Sequence, residues 1–404
     1  MPPLDGLRII DLTRVVAGPF CTMMLGDMGA EVLKIEEPQH GDDTRAWAPY
    51  IGGEGGFFLA LNRSKKSVAL DLKTADGAAA LRRLVETADV LIENFRPGSL
   101  SRLGFGFPEA AAINPRLIYC SITGYGQTGP YAPLAGYDAV IQGEAGIMDM
   151  TGTADGEPTR VGVAITDYLA GLYAAQGILL AIIDRQTSGL GQHVDIALFD
   201  SMLSVMRLPM SMLLATGEDP ARVGNDHLNI APYEPLRARD GLIIVAVANP
   251  RLWARFCDAI ERPDLVDDPR FRTNTDRVTH RRALKEEVES TFARFTVEAL
   301  TARFAERSVP CGRVRSIREA LAHPQVAARD TILTQQRHDL SRVDTLAHVV
   351  KLSRTPAHPT LPPPMLGEHT QEVVRMTKDN REDTKPHEDH EEEKAIRVPG
   401  ISSS

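Results

Sequence analysis

Cysteine is scarce in this sequence, and positive charge is not in excess. The four cysteines lie far apart, without the paired spacing of a metal-binding or redox motif, at Cys21, Cys120, Cys257 and Cys311. We therefore expect a reducing compartment and no metal site. The 45 lysines and arginines are outnumbered by 54 aspartates and glutamates, giving a net charge of −9. Nucleic-acid binding has no electrostatic support from this balance.

Long uncharged hydrophobic runs are also missing. A membrane-spanning helix needs about 20 consecutive apolar residues, whereas Asp184 and Arg185 end the most apolar segment of this chain. No membrane partner is therefore expected. The N-terminus, MPPLDGLRIIDL, enters a strand almost at once and leaves no room for a signal or transit peptide. These features predict a cytoplasmic protein, or a mitochondrial matrix protein if a presequence has been removed.

The sequence does contain the pattern of an α/β protein. Its 404 residues, of which 43% are hydrophobic and 25% charged, suffice for two globular domains. Strands are predicted at residues 7–12, 31–35, 89–92 and 117–122, alternating with helices at residues 17–29, 76–87 and 108–113. This alternation predicts a doubly wound parallel sheet whose ligands bind outside the carboxyl ends of the strands. The polar turns at that edge are residues 13–17, 36–45, 93–98 and 123–129.

One of these turns imitates a dinucleotide-binding fingerprint. Gly124, Gly126 and Gly129 follow a predicted strand with the spacing G-x-G-x-x-G. That motif requires a helix directly after it, whereas Pro130 and Pro133 come next and break the pattern. A nicotinamide cofactor is therefore rejected.

The segment VGVAITDYLAGLYAAQGILLAIIDR, residues 161–185, is an apolar run interrupted near its start by one carboxylate. Residues 161–165 are predicted to form a buried strand, and the residues from Asp167 onward show helical spacing. Thr166 or Asp167 would then be the N-cap, and the helix dipole should keep Asp167 ionised at neutral pH. By spacing alone, Asp167 is either a simple cap or a nucleophile.

The rest of the chain predicts a second domain and a return to the first. Residues 194–216 are Met-rich and predicted to be helical. Further on we predict strands at residues 242–248 and 312–317, helices at residues 252–260 and 282–292, a proline-rich connection at residues 323–364 and a helix at residues 366–376. The predicted organisation is a large domain (residues 1–195), linker helices (196–224), a small domain (225–322), a return segment (323–376) and a disordered acidic tail (377–404), whose His387 and His390 are interpreted as solvated.

Several segments match, in order, those of a known family. They are DLTRVVAGP (residues 11–19), GAEVLKIE (29–36), GDDTR (41–45), NRSKKSVALDLK (62–73), ENFRPGSLSRLG (93–104), SITGYGQTGP (121–130), AGYDAVIQ (135–142), the Asp167 segment and LGEHT (366–370). The chain thus resembles the class III CoA-transferases of the CaiB/BaiF type, which include formyl-CoA transferases and α-methylacyl-CoA racemases. The resemblance implies a Rossmann-like large domain, a smaller α/β domain and an interlocked, ring-like homodimer.

The resemblance also implies a covalent mechanism. Asp167 matches the family nucleophile, which forms an aspartyl-acyl anhydride and then an aspartyl-CoA thioester. Coenzyme A and acyl-CoA are therefore expected as substrates, with no permanently bound cofactor. The family's CoA contacts fall on Ala17, Asn94, Phe95 and Arg102, and Lys73 is a further candidate phosphate partner.

Single residues distinguish between the reactions that the family catalyses. Val16 replaces the glutamine of formyl-CoA transferases, and Tyr137 stands where racemases carry a catalytic histidine. Because tyrosine is a poor base at neutral pH, transfer is favoured over racemisation. The motifs most resemble those of transferases that act on succinyl-CoA and dicarboxylates such as glutarate or itaconate. A racemase and a non-catalytic acyl-CoA binding protein remain the alternatives.

A dicarboxylate acceptor would keep a second carboxylate that needs a cation in the site. Arg14 and Arg45 lie in turns near the predicted site, although either could instead pair with Asp42 or Asp43. Tyr137 and Asp138 are expected to position the substrate, or else to be structural.

Overall fold

The computed structural model describes residues 1–379, and its largest element is a six-stranded parallel sheet. The strands of the first half are β1 (Arg8–Asp11), β2 (Glu31–Glu36), β3 (Tyr50–Ile51), β4 (Glu54–Gly55), β5 (Lys65–Ala69), β6 (Val90–Glu93), β7 (Ile118–Thr123) and β8 (His193–Ala197). The sheet has the order β5-β2-β1-β6-β7-β8, and all five pairings are parallel. The predicted parallel sheet is thereby confirmed.

Helices cover both faces of this sheet. Those of the first half are α1 (Ala17–Asp27), α2 (Gly56–Leu61), α3 (Ala75–Thr87), α4 (Phe107–Ile113), α5 (Asp138–Glu144), α6 (Ile147–Met150), α7 (Ile165–Ser188), α8 (Leu198–Val205) and α9 (Arg207–Thr216). One core contains side chains of α1 and α7, and the other contains side chains of α3 and α4. Because β6 and β7 are buried on both sides, they consist largely of apolar residues.

The strand order reverses direction between β1 and β6. From β1 the chain winds through β2 to β5, whereas from β6 it winds through β7 to β8 on the other side. In a doubly wound sheet, such a switch point opens a crevice at the carboxyl ends of the strands. The turns that follow β1 and β6 therefore lie beside each other.

Helices α1 and α7 pack closely beside this crevice. Ala170, Ala174 and Ile178 of α7 are fully buried at helical spacing. At Gly171 a Cβ atom would lie 2.6 Å from the carbonyl oxygen of Ala17. Glycine at this position thus allows the start of α7 to approach the start of α1.

Two sequence predictions near α7 are wrong. Residues 161–165 form no strand, because the chain runs irregularly up to Ile165, where α7 begins. Residues 194–216 are not one helix, since β8 comes first and two helices follow it. His193 and Asp195 give β8 a polar character that hides its pairing with β7.

A second core lies between residues 231 and 311. Its elements are β9 (Tyr233–Ala238), β10 (Gly241–Ala246), α10 (Pro250–Ala259), α11 (Asp264–Asp267), α12 (Asn274–Thr279), α13 (Arg281–Phe292), α14 (Val297–Glu306) and β11 (Cys311–Arg313). The three strands form an antiparallel sheet with β10 in the centre. Strand β9 and helix α14 were not predicted, and the strand predicted at residues 312–317 ends at Arg313.

The segment predicted as a connection at residues 323–364 contains regular structure. After α15 (Ile317–Leu321) come α16 (Pro324–Ala328), a hairpin of β12 (Ile332–Arg337) and β13 (Leu340–Leu346), and finally α17 (Thr370–Asp379). The chain returns to the large sheet, where the Thr370 hydroxyl accepts a hydrogen bond from the Ala69 N–H. Residues 377–379 of the predicted tail belong to α17, and residues 380–404 lie outside the described residues.

Helix α7 departs from the expectation about membrane spans. Within residues 1–379, it is long and apolar enough to cross a membrane, and the bent pair of α8 and α9 would pass the same test as one span. A core helix of a soluble protein also passes this test. Arg185 near the end of α7 is buried and pairs with Asp89. Helix α7 nevertheless exposes large apolar side chains, including Leu172, Leu180 and Ile183.

Candidate active site

A cleft of about 310 Å³ opens at the switch point between β1 and β6. It is lined from four directions, by the turn after β1, the turn after β6, the turn after β7 and the first turn of α7. The lining includes Arg14, Val15, Ala17, Asp43, Asn94, Phe95, Arg96, Tyr137 and Asp167. Three of the four turns predicted at the carboxyl edge thus form walls of one cleft, and Asp43 comes from the fourth.

The turn after β1 is held rigidly by polar side chains. The Asn94 amide accepts a hydrogen bond from the Arg14 N–H at 3.0 Å and donates one to the Arg14 carbonyl at 2.8 Å. The Lys34 ammonium donates to the Thr13 carbonyl at 2.8 Å. Val15 has a positive φ of 72°, which is unfavourable for a β-branched residue. These bonds stabilise a strained turn beside the cleft, as is common at functional sites.

The first turn of α7 is held by an acid from another helix. Ala164 is the N-cap and offers no side-chain bond, so the prediction that Thr166 or Asp167 caps the helix is wrong. Instead, one Asp138 oxygen accepts bonds from the Thr166 N–H at 3.0 Å and the Thr166 hydroxyl at 2.9 Å. The other Asp138 oxygen accepts a bond from Gln142 at 2.8 Å. Asp138 therefore fixes the backbone next to Asp167.

Asp167 lies in the first turn of α7, with its side chain in the cleft wall. Burial raises the pKa of its carboxyl to about 7, and the nearby Asp138 carboxylate raises this pKa further. The prediction of full ionisation at neutral pH is thus corrected, because burial and a like charge outweigh the helix dipole. The carboxyl is poised to change its charge near neutrality.

We expect a pH dependence of turnover from this pKa. A carboxyl attacks as the ionised form, so kcat/KM should fall about tenfold per pH unit below pH ~7 and level off above it. The control is Asp138→Asn, which removes the like charge and should move the acid limb to lower pH. Steady-state rates between pH 5 and 9 test both. An unshifted acid limb in the variant would contradict this assignment.

The residues that the family resemblance implies as CoA contacts do not all line the cleft that contains Asp167. Ala17, Asn94 and Phe95 line the cleft. Lys73 lines a second cleft of about 210 Å³, whose walls also include Arg14 and Phe95, so the two clefts adjoin. Arg102 is exposed, lines neither cleft and donates a hydrogen bond to Ser99. Asn94 faces the cleft, but its amide group is engaged with the Arg14 backbone.

The two arginines proposed for a distal carboxylate differ. Arg14 is exposed, lines the cleft and forms an ion pair with Asp43 at 3.2 Å. Arg45 is buried and lies away from the cleft, where it pairs with Glu36 at 2.8 Å and Glu54 at 3.2 Å. Of these two arginines, Arg14 is accessible from the cleft, whereas Arg45 has a structural role.

Tyr137 and Asp138 also differ in their position relative to the cleft. Tyr137 is 69% exposed and lines the cleft. Asp138 does not line the cleft, and its oxygens accept hydrogen bonds from Thr166 and Gln142.

Sequence reasoning missed Arg96, an exposed cation in the cleft wall that makes no ion pair with residues 1–379. Its place in the turn after β6 was the available signal.

Residues 1–379 contain no cluster of three or more His, Cys, Asp or Glu side chains that could hold a metal ion. The turn after β7 has Gly126 and Gly129 at positive φ, and no helix follows until Asp138. This geometry differs from that of a dinucleotide fingerprint.

Comparison with known proteins identifies the family. The model of CoA-transferase family III matches residues 4–370. The succinate–glutarate CoA-transferase of Agrobacterium fabrum is 41% identical over 380 residues, which cover 92% of this chain and 95% of that protein. The succinyl-CoA:glutarate CoA-transferase of Mus musculus is 37% identical over 376 residues, covering 93% of this chain and 86% of that protein.

A solved structure agrees with the sequence comparison. The crystal structure of a CAIB/BAIF family protein from Brucella suis matches with a TM-score of 0.84 and 41% identity, covering 93% of this chain and 99% of that chain. The resemblance found in the sequence is thereby confirmed. The chain belongs to CoA-transferase family III and is a CoA-transferase.

Proposed function

We propose that this enzyme moves CoA from an acyl-CoA donor, succinyl-CoA above all, to a free dicarboxylic acid of four to six carbons such as glutarate or itaconate. The observation that carries the proposal is the position of Asp167. Its carboxyl lies in the first turn of α7, in the wall of a cleft at the switch point of the sheet, and no lysine or arginine of residues 1–379 lowers its pKa. A carboxyl in this setting suits nucleophilic attack.

The proposed reaction begins at the Asp167 carboxylate. One of its oxygens attacks the thioester carbonyl carbon, and the carbon–sulfur bond breaks. This step forms an aspartyl-acyl anhydride and releases CoA as a thiolate. The thiolate then attacks the aspartyl carbonyl, which releases the donor acid as a carboxylate and forms an aspartyl-CoA thioester. The acceptor carboxylate repeats these steps in reverse order, so Asp167 ends as a free carboxylate.

Both halves of the reaction exchange a carboxylate and a thioester, so their energies are nearly balanced. The protein mainly has to hold the partners together and keep water from the anhydride. The rigid turn after β1 and the fixed first turn of α7 serve this purpose, since both are held by hydrogen bonds within the chain.

The cations of the cleft support a dicarboxylate as the acceptor. A dicarboxylate binds with one carboxylate at Asp167 and needs a positive partner for the other. Arg14 is exposed in the cleft wall, and its guanidinium matches carboxylate oxygens. The relatives from Agrobacterium fabrum and Mus musculus carry names that specify succinate or succinyl-CoA and glutarate.

A panel of acids tests the proposal. Succinyl-CoA is incubated with dicarboxylates of three to six carbons, and the new thioester is identified by mass spectrometry. We expect transfer to a dicarboxylate of four to six carbons. If no acid accepts CoA while the α-proton of a 2-methylacyl-CoA exchanges in deuterated water, the enzyme is a racemase instead.

An Arg14 variant makes the test specific to the distal carboxylate. Arg14→Gln should raise KM for glutarate by roughly 10- to 100-fold, because a carboxylate loses its charged partner. KM for a monocarboxylic acceptor such as butyrate should change little. Arg14→Lys is the matched control, since it keeps the charge and loses the planar fork. Equal effects on both acceptors would assign Arg14 to another role.

We also propose that two chains form an interlocked homodimer. The described residues expose large apolar side chains on α7 and α9, among them Leu180, Ile183, Leu208 and Leu214. A soluble protein rarely leaves so large an apolar surface uncovered. Sedimentation equilibrium should give twice the chain mass at micromolar concentration, and a monomer would contradict the proposal.

A further inference from the structure

Glu93, the last residue of β6, is a buried carboxyl without a cationic partner. The residue is 5% exposed, and within residues 1–379 the charged group that acts on it is the Asp195 carboxylate. A buried acid of this kind costs stability at neutral pH, where an unfolded chain would ionise it freely. Such groups beside a cleft are candidates for a functional role.

The Glu93 carboxyl is tied to the cleft through the backbone. One of its oxygens accepts a hydrogen bond from the Phe95 N–H at 2.8 Å. Asn94, between these two residues, holds both backbone groups of Arg14. The carboxyl therefore fixes the turn that presents Asn94 and Phe95 to the cleft, and this turn fixes the turn after β1.

On its other side, the Glu93 carboxyl lies near the Ser121 hydroxyl of β7, which favours the ionised form of the acid. The Ser121 oxygen lies 3.0 Å from Nε2 of His193 on β8. The His193 ring stacks on Phe107 with 5.1 Å between ring centroids, which fixes its orientation. A hydroxyl can donate to an ionised carboxylate or accept from a protonated one, so Ser121 suits both charge states of Glu93.

We propose that Glu93 is a positioning residue for the acyl-CoA substrate, because its carboxyl holds the Asn94–Phe95 turn in the shape that binds CoA. This inference rests on the proposed function, since it assigns the cleft to CoA. Glu93 itself touches neither cleft and acts through Phe95 and Asn94.

Two variants separate the bonding of Glu93 from its charge. Glu93→Gln keeps an oxygen for the Phe95 N–H and a polar group beside Ser121. Glu93→Leu removes both and leaves the partly buried Phe95 N–H without this partner. Glu234→Leu is a control in the small domain for the loss of a buried acid: Glu234 accepts a bond from the Tyr233 N–H at 2.7 Å and differs from Glu93 in also pairing with Arg281 at 3.1 Å.

The readouts are calorimetric titration with CoA and steady-state rates with succinyl-CoA. We expect Glu93→Leu to weaken CoA binding and raise KM by about tenfold or more, with a smaller change in kcat. Glu93→Gln and Glu234→Leu should bind CoA as the wild type does. Unchanged binding in Glu93→Leu, or equal losses in the Leu and Gln variants, would overturn the inference. If the wild type itself binds no CoA, the proposed function fails instead.

A second measurement applies if Glu93→Leu does not fold. Burial raises the pKa of Glu93 to about 7. Within residues 1–379, the titratable groups that interact with it are Asp195 of β8 and Tyr119 and Cys120 of β7. A raised carboxyl pKa lowers stability as pH rises from the unfolded value toward 7, so the stability advantage of Glu93→Gln should grow over that range and then level off. For CoA binding, the second variant is Glu93→Asp, whose shorter side chain withdraws the carboxyl from the Phe95 N–H. Calorimetric titration should show weaker CoA binding, and binding as tight as that of the wild type would overturn the inference.

Discussion

Replacing Asp167 by asparagine should lower kcat for CoA transfer by roughly 10⁴-fold or more, as expected when a covalent nucleophile is removed. The amide has nearly the same shape but cannot form the anhydride. Asp184→Asn is the matched control, because Asp184 lies on the same helix, is exposed and is remote from the cleft. Turnover of purified variants with succinyl-CoA and glutarate provides the measurement.

The same substitution should leave the fold intact and make it more stable. The Asp167 carboxyl makes no hydrogen bond to the described residues, and burial together with Asp138 disfavours its charge. Its folded pKa is raised above the unfolded value of 3.8, so the charge lowers stability at pH values above this value. Asp167→Asn should therefore raise Tm at pH 8 and not at pH 4. A lower Tm at pH 8 would show that the carboxyl has a structural role.

The second large effect is expected at Lys34, whose side chain is fully buried under the turn after β1. Its ammonium pairs with Asp42 at 2.9 Å and bonds to the Thr13 carbonyl. Lys34→Ala leaves the Asp42 carboxylate buried without its cation, and we expect a loss of about 3–5 kcal/mol in the free energy of unfolding. Urea denaturation followed by circular dichroism measures this loss.

Lys66→Ala on β5 is the matched control for Lys34. The Lys66 ammonium pairs with Glu31 and Glu372, but all three side chains are partly exposed. Water screens such pairs, so the expected loss is about 0–1 kcal/mol. Similar losses in the free energy of unfolding for the two variants would show that the buried Lys34–Asp42 pair stabilises the fold no more than the exposed pairs of Lys66 do. Because Lys34 also fixes Thr13, its variant should raise KM for acyl-CoA as well.

Much of the sheet could be predicted from local pattern. Buried strands such as β6 and β7 consist of short apolar runs, and the turns after them are polar. Since parallel strands bring their carboxyl ends to one edge, the turns at residues 13–17 and 93–98 could be placed there, whereas Ala17, Asn94 and Phe95 were singled out by the family resemblance. Edge strand β8 was missed because His193 and Asp195 break its apolar pattern.

The electrostatics of the site could not be predicted in this way. The pKa of Asp167 depends on Asp138, which lies on another helix, and on burial by the folded chain. Arg45 has its partner Glu36 nine positions away and a further one in Glu54, and no local pattern distinguishes these from Asp42 or Asp43. The amide of Asn94 bonds to a backbone 80 positions away. Such contacts arise only when the strands have assembled.

The covalent bond to Asp167 is the central claim, and peptide mass spectrometry tests it most directly. The enzyme is mixed with succinyl-CoA without an acceptor, quenched in acid and digested. We expect CoA attached through a thioester to the peptide that contains Asp167, and its loss when glutarate is added before the quench. An enzyme that turns over while this peptide stays unmodified, or that carries CoA on another residue, would contradict the account.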